Sequence, residues 1–139
     1  HPKRKGTCIM KASFLILLGG GLGALSRYWL IRFCTYYLSD RLPWGLLFVN
    51  VSGSFLIGLL FGLFFMKTGV HVSWQNFSVV GFLGGFTTFS SFSLLTILLM
   101  SGGNILLALS NVLMTLLGCL SATVLGLYMS KMILGCLTC

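Results

Sequence analysis

One side-chain amide, Asn50, and one thirteen-residue run, GFLGGFTTFSSFS from Gly81 to Ser93, carry most of the chemistry in an otherwise apolar chain. The run packs together three glycines, five hydroxyl side chains and four phenylalanines. Glycine weakens a helix and exposes its backbone. Carbonyls freed at such a point suit a hard cation, which prefers oxygen ligands. Phe89 and Phe92 stand three residues apart and project from one helix face. An aromatic ring has a positive edge, so this pair could meet an anion without a fixed positive charge, although phenylalanines at helical spacing also serve as plain packing. The hydroxyls of Thr87, Thr88, Ser90, Ser91 and Ser93 can satisfy backbone carbonyls inside a membrane helix or line a path with donors.

Asn50 shares a helix face with Gly53 and Ser54 by the i, i+3, i+4 rule. An amide at membrane depth is costly unless paired, so it either bridges helices or touches a substrate. Further on, Ser110, Asn111, Thr115 and Ser121 punctuate an apolar segment. Asn111 and Thr115 lie one turn apart, as a polar track would, or as a helix-to-helix hydrogen bond would. Arg27 follows Gly20 and Gly23 near a helix end, where an arginine snorkels to headgroups or draws anions to a vestibule.

The elements that must position these residues follow from composition. The 139-residue chain is 57% hydrophobic and 7% charged, whereas soluble domains carry about 25% charged residues. Four apolar runs reach the about 20 residues that a spanning helix requires: Ser13 to Leu30, Gly45 to Met66, Phe77 to Met100 and Ile105 to Met129. A membrane β-barrel would instead alternate in segments of about ten residues. The expected architecture is an all-α membrane protein of four transmembrane helices, with a break in the third at the glycine-rich run. Residues 1–9 precede Met10-Lys11-Ala12-Ser13 and read as a tag or non-native tail, which leaves residues 10–139 as one four-helix domain.

Charge narrows the function. The net charge of +8 comes from residues at the ends of spans, where they meet headgroups rather than nucleic acid. The single acid, Asp40, falls in the loop between spans one and two, so no carboxylate lies at membrane depth. A proton-coupled exporter of cationic compounds needs such a group. An enzyme needs a nucleophile–base pair or a metal cluster, and neither pattern is present. Cys136 and Cys139 have CxxC spacing, but no second pair completes a zinc site, and Cys8, Cys34 and Cys119 are isolated. His71 sits in a polar loop.

Four spans put both termini on one side, with Lys11, Lys67 and Lys131. Arg32 and Arg41 mark the other side, with Arg27 near the helix end. Without the tail this gives almost no positive-inside preference, which permits insertion both ways and an antiparallel dimer. Small-xxx-small pairs at Gly19/Gly23, Ser54/Gly58, Gly58/Gly62 and Gly118/Ala122 predict close helix contacts.

Taken in order, Gly20-x-x-Gly23-x-x-x-Arg27, Asn50-x-x-Gly53 and Gly81-x-x-Gly84-Gly85-x-Thr87-Thr88-Phe89-Ser90-x-Phe92-Ser93 resemble the Fluc/CrcB family of fluoride channels over residues 12–130. The resemblance implies an antiparallel, dual-topology homodimer in the inner (plasma) membrane, with two passive fluoride pores and a central structural sodium ion. It assigns the sodium-binding carbonyls to Gly84 and Thr87. The pore would be lined by Phe89, Phe92 and the Asn50 amide, with hydroxyls such as Ser90, Ser91 and Thr115, and Arg27 would be a vestibule or structural residue. The sequence departs from the family in three places. Ser93-Leu94-Leu95 lacks the glutamate that often follows the second phenylalanine, Leu46 and Leu47 stand where threonine is frequent, and Asn111 stands where an aromatic is frequent.

Overall fold

The computed structural model describes residues 2–38, 42–66 and 71–137, with the side chains of 2–8, 65, 66, 136 and 137 excepted. Asp40, Arg41, Lys67 and the CxxC pair Cys136/Cys139, which entered the arguments above, lie outside the described residues or side chains. Helix α1 runs Pro2–Tyr37 and α2 Trp44–Met66. The third span is assembled from pieces. A single turn, α3 (Val72–Gln75), leads into a π-helical stretch, Asn76–Leu83, then a short turn, α4 (Gly84–Phe86), and finally α5 (Phe89–Ser101). Helix α6 (Ile105–Leu137) completes the chain.

Four helical segments are long and apolar enough to cross a membrane: Ile9–Tyr37, Trp44–Phe64, Val72–Ser101 and Ile105–Gly135. Each includes one of the four apolar runs almost entirely, and three extend well past it. At 1.5 Å per residue, the 29 residues of Ile9–Tyr37 exceed the roughly 30 Å hydrocarbon thickness. The surplus at the C-terminal end carries Arg27, Tyr28, Trp29 and Arg32, residue types that favour the headgroup zone. Hydropathy falls there although the helix continues.

The helices pair through glycine. Helix α1 lies against the π-helical stretch and α4, and α2 lies against α6. A β-carbon on Gly19 would collide with the Phe77 carbonyl, one on Gly23 with the Phe82 carbonyl, and one on Gly85 with the Gly20 carbonyl. Across the second seam, Gly58 meets the Thr123 backbone, Gly126 the Phe55 carbonyl and Gly62 the Ser130 side chain. The expected small-residue contacts are therefore contacts between helices of one chain. Gly81, Gly85 and Gly126 complete them from the facing side. Hydrocarbon gives apolar side chains little reason to leave lipid, so this close backbone approach is what packs such helices. Thr123 adds a hydrogen bond across the α2–α6 seam, its Oγ1 donating to the Ser54 carbonyl at 3.1 Å.

Helix α5 turns into α6 through Gly102, Gly103 and Asn104. Gly103 has φ +78°, the left-handed conformation that glycine adopts without cost. Its N–H donates to the Met100 carbonyl and that of Asn104 to the Leu99 carbonyl, both of which would otherwise be orphaned at the helix end.

Candidate functional site

Between α4 and α5 the backbone leaves the helix for two residues. Thr87 (φ −78°, ψ 154°) and Thr88 (φ −151°, ψ 115°) are extended. In a continuous helix the N–H of Thr88 would serve the Gly84 carbonyl and that of Ser91 the Thr87 carbonyl. Both donors go elsewhere. Thr88 N–H donates to Asn50 Oδ1 at 2.9 Å, and Ser91 N–H to Thr88 Oγ1 at 3.3 Å. Among the described residues, none of the four carbonyls from Gly84 to Thr87 accepts a hydrogen bond. Two of the four, those of Gly84 and Thr87, belong to residues that line a cavity of about 320 Å³.

Asn50 reaches this point from the middle of α2 and returns a second bond, its Nδ2 donating to the Thr88 carbonyl at 3.2 Å. The pair is buried, Asn50 at 7% exposure and Thr88 at 8%. The amide thus bridges helices, as one of the two sequence readings held, and lines the cavity as well. Gly53, one turn further along α2, lets Thr87 approach, since a β-carbon there would collide with the Thr87 methyl. Thr87 Oγ1 turns back to the Leu83 carbonyl at 2.9 Å and closes the end of the first half-span.

Thr88 caps α5. Besides taking the Ser91 N–H, its hydroxyl donates to Ser91 Oγ at 3.1 Å and lies 3.1 Å from Ser90 Oγ. Phe89 and Phe92 follow, their ring centroids 5.4 Å apart at a tilt of 51°. They differ sharply in burial: Phe92 is 7% exposed and Phe89 is 74% exposed. Both line the cavity.

The far wall comes from α6. Thr115, 8% exposed, lines the cavity, and among the described residues its hydroxyl has no hydrogen-bond partner. Asn111, one turn earlier, is engaged. Its Nδ2 donates to Thr96 Oγ1 at 3.0 Å, and Thr96 in turn donates to the Phe92 carbonyl at 2.8 Å. Asn111 is therefore a helix-to-helix bridge that steadies α5 behind Phe92.

One cavity accordingly brings together Asn50, Gly84, Thr87, Phe89, Phe92 and Thr115. Ser90 and Ser91 are not among its lining residues. Ser91 instead lines a second cavity of about 310 Å³, with Cys34, Thr35 and Trp44. The Thr88–Ser90–Ser91 hydroxyl cluster lies between the two. Arg27 lines neither. Thr88, which the sequence offers as one hydroxyl among five, also lines the first cavity, whereas Cys119 in its lining and Thr96 behind it were not among the expected residues. Cys119 lines the first cavity one turn beyond Thr115, a spacing visible in the sequence. Thr88 and Thr96 each have one partner on another helix, Asn50 and Asn111 respectively.

Residues 14–127 match the family described as CrcB-like protein, Camphor Resistance (CrcB). The chain belongs to the CrcB family. Among relatives of this CrcB chain is a protein of Magnetococcus marinus named "Fluoride-specific ion channel FluC", 45% identical over 118 residues, 85% of this chain and 96% of the relative. A Pyrococcus abyssi protein of the same name is 38% identical over 122 residues, covering 88% of this chain and 98% of its own. A longer Methylococcus capsulatus relative, also so named, is 41% identical over 118 residues, which are 85% of this chain and 52% of the relative. The matched span takes in the CrcB chain's whole cavity lining.

Proposed function

We propose that this chain is the subunit of a passive, fluoride-selective channel of the inner membrane, not an enzyme. The supporting observation is the single cavity that unites Asn50, Phe89, Phe92 and Thr115 with the carbonyl-bearing residues Gly84 and Thr87. Fluoride is small and holds its water tightly, so a path must offer closely placed donors in return. The Asn50 nitrogen carries a second N–H beyond the one given to Thr88, and Thr115 has an uncommitted hydroxyl. The ring edges of Phe89 and Phe92 cover the apolar stretch, and Ser90 and Ser91 continue the hydroxyls towards the second cavity. Weak sites in succession favour passage over trapping. Arg27, outside both cavities, would act by drawing anions towards a mouth of the path or by anchoring α1.

The functional unit proposed is an antiparallel, dual-topology homodimer with two pores. In a single chain Phe89 projects from the helix about three-quarters exposed, and a second copy would cover it and close the cavity. The near balance of basic residues at the two ends fits insertion in both directions.

The break in the third span fits a structural sodium ion. Gly84 and Thr87 offer carbonyl oxygens whose helical donors are bound elsewhere, the neutral hard-donor set such an ion takes. Bound there, sodium would supply a fixed positive charge and tie two breaks together. The chain's own part is to hold those oxygens away from the helical ladder.

A proton-coupled cation exporter is disfavoured because none of the four spans carries an acidic residue. Efflux of fluoride and of chloride from liposomes containing the purified chain tests the proposal. Fluoride should leave and chloride should stay; equal leak of both, or none, would defeat it.

A further inference from the structure

Thr88 takes part in both hydrogen bonds that draw donors away from the Gly84 and Thr87 carbonyls, although the channel reading gives it no role. Its N–H goes to Asn50 Oδ1, which withholds a donor from the Gly84 carbonyl. Its hydroxyl takes the Ser91 N–H, which withholds a donor from the Thr87 carbonyl. Its carbonyl accepts from Asn50 Nδ2, which fixes the residue against α2. The two carbonyls left without helical partners at the cavity are thus those on either side of one residue's bonds.

We propose that Thr88 is the positioning residue of the cation site. By capping α5 with its side chain and binding Asn50 with its backbone, it keeps the Gly84 and Thr87 oxygens free for an ion it does not itself touch. A side-chain acceptor is required at this position. Without one, the Ser91 N–H has the Thr87 carbonyl as its nearest backbone alternative, and forming that bond would extend α5 backwards by one residue and consume a ligand. Serine and asparagine supply an acceptor as good N-caps do, whereas valine keeps the shape of threonine and lacks the oxygen. The inference rests on the sodium reading for the identity of the ion.

The test is the melting temperature of the full-length chain against sodium concentration, with N-methylglucamine as the replacement cation and fluoride efflux recorded on the same preparation. The wild type should be stabilised by sodium. Thr88→Val should need about ten-fold more sodium for half of that rise, the equivalent of about 1.4 kcal/mol, and Thr88→Ser should restore the wild-type half-point. Thr96→Val removes a buried hydroxyl elsewhere on the same half-span. It should lower the melting temperature without moving the half-point, which separates positioning from general loss of stability. If Thr88→Val does not assemble, Thr88→Gly, a milder cap change, should show the same displaced half-point. A wild-type half-point in Thr88→Val or Thr88→Gly overturns the inference and leaves the sodium reading intact. A wild type that conducts fluoride but does not respond to sodium overturns both and leaves the fluoride reading standing.

Discussion

Asn50 and Thr88, 38 residues apart, hydrogen-bond in both directions: Thr88 N–H donates to Oδ1 at 2.9 Å and Nδ2 donates to the Thr88 carbonyl at 3.2 Å. A primary amide carries an acceptor and a donor side by side, so one side chain meets a backbone N–H and C=O together. The residue that lines the cavity is therefore also the residue that braces the extended backbone.

Asn50→Leu keeps the volume of the side chain and strands the Thr88 N–H in a buried site, while the Thr88 carbonyl keeps the first bond of α5. An unpaired buried N–H costs about 1–3 kcal/mol. Lower thermal stability and suppressed fluoride efflux are expected together. Unchanged stability with lost flux would mean that the amide serves the ion alone.

The two phenylalanines should separate. Phe92→Ile empties buried volume and should destabilise the chain by about 1–3 kcal/mol as well as reduce flux. Phe89→Ile alters a ring that is 74% exposed in the chain, so the melting temperature of the single chain's fold should hardly move. Flux should still collapse, with the dimer retained in size-exclusion chromatography. Normal flux in Phe89→Ile would reduce that ring to a packing role.

Thr115→Val deletes a hydroxyl that has no partner among the described residues. Replacing it by a methyl group should leave stability within about 0.5 kcal/mol, while fluoride efflux falls. Marked destabilisation would place the hydroxyl in an internal bond instead of the path.

Glycine substitutions should sort by seam. Gly23→Ala drives a methyl into the Phe82 carbonyl and Gly58→Ala drives one into the Thr123 carbonyl, and overpacking of this kind costs about 1–3 kcal/mol. Nothing lies within 4 Å of a β-carbon at Gly21, so Gly21→Ala should melt like the wild type. Equal melting of all three variants would refute the seams.

The spans were legible because a bilayer imposes length and polarity on them, and Trp44, Ser101 and Ile105 bound helices close to where hydropathy put them. The ends of α1 and α6 were not, since Arg27, Arg32 and Lys131 lower hydropathy without breaking a helix. The site residues that hydropathy exposes as anomalies, Asn50, Gly84, Thr87 and Thr115, meet at one cavity. Their division of labour depends on partners far along the chain. Asn111 reads equally as a track residue or a bridge until Thr96 is seen opposite it. Thr88 reads as one hydroxyl among five, and only its bonds to Asn50 and Ser91 distinguish it.

The two extended threonines also reset the phase of the third span. An extended residue advances the chain by about 3.3 Å where a helical one advances about 1.5 Å, and it does not turn by the helical 100°. Side chains before Thr87 and after Thr88 therefore obey two separate helical wheels. A residue in Phe89–Ser101 cannot be assigned a face by counting turns from Gly81. An insertion or deletion between Gly84 and Thr88 would rotate the aromatic pair as a rigid unit and leave the glycine seam against α1 in place.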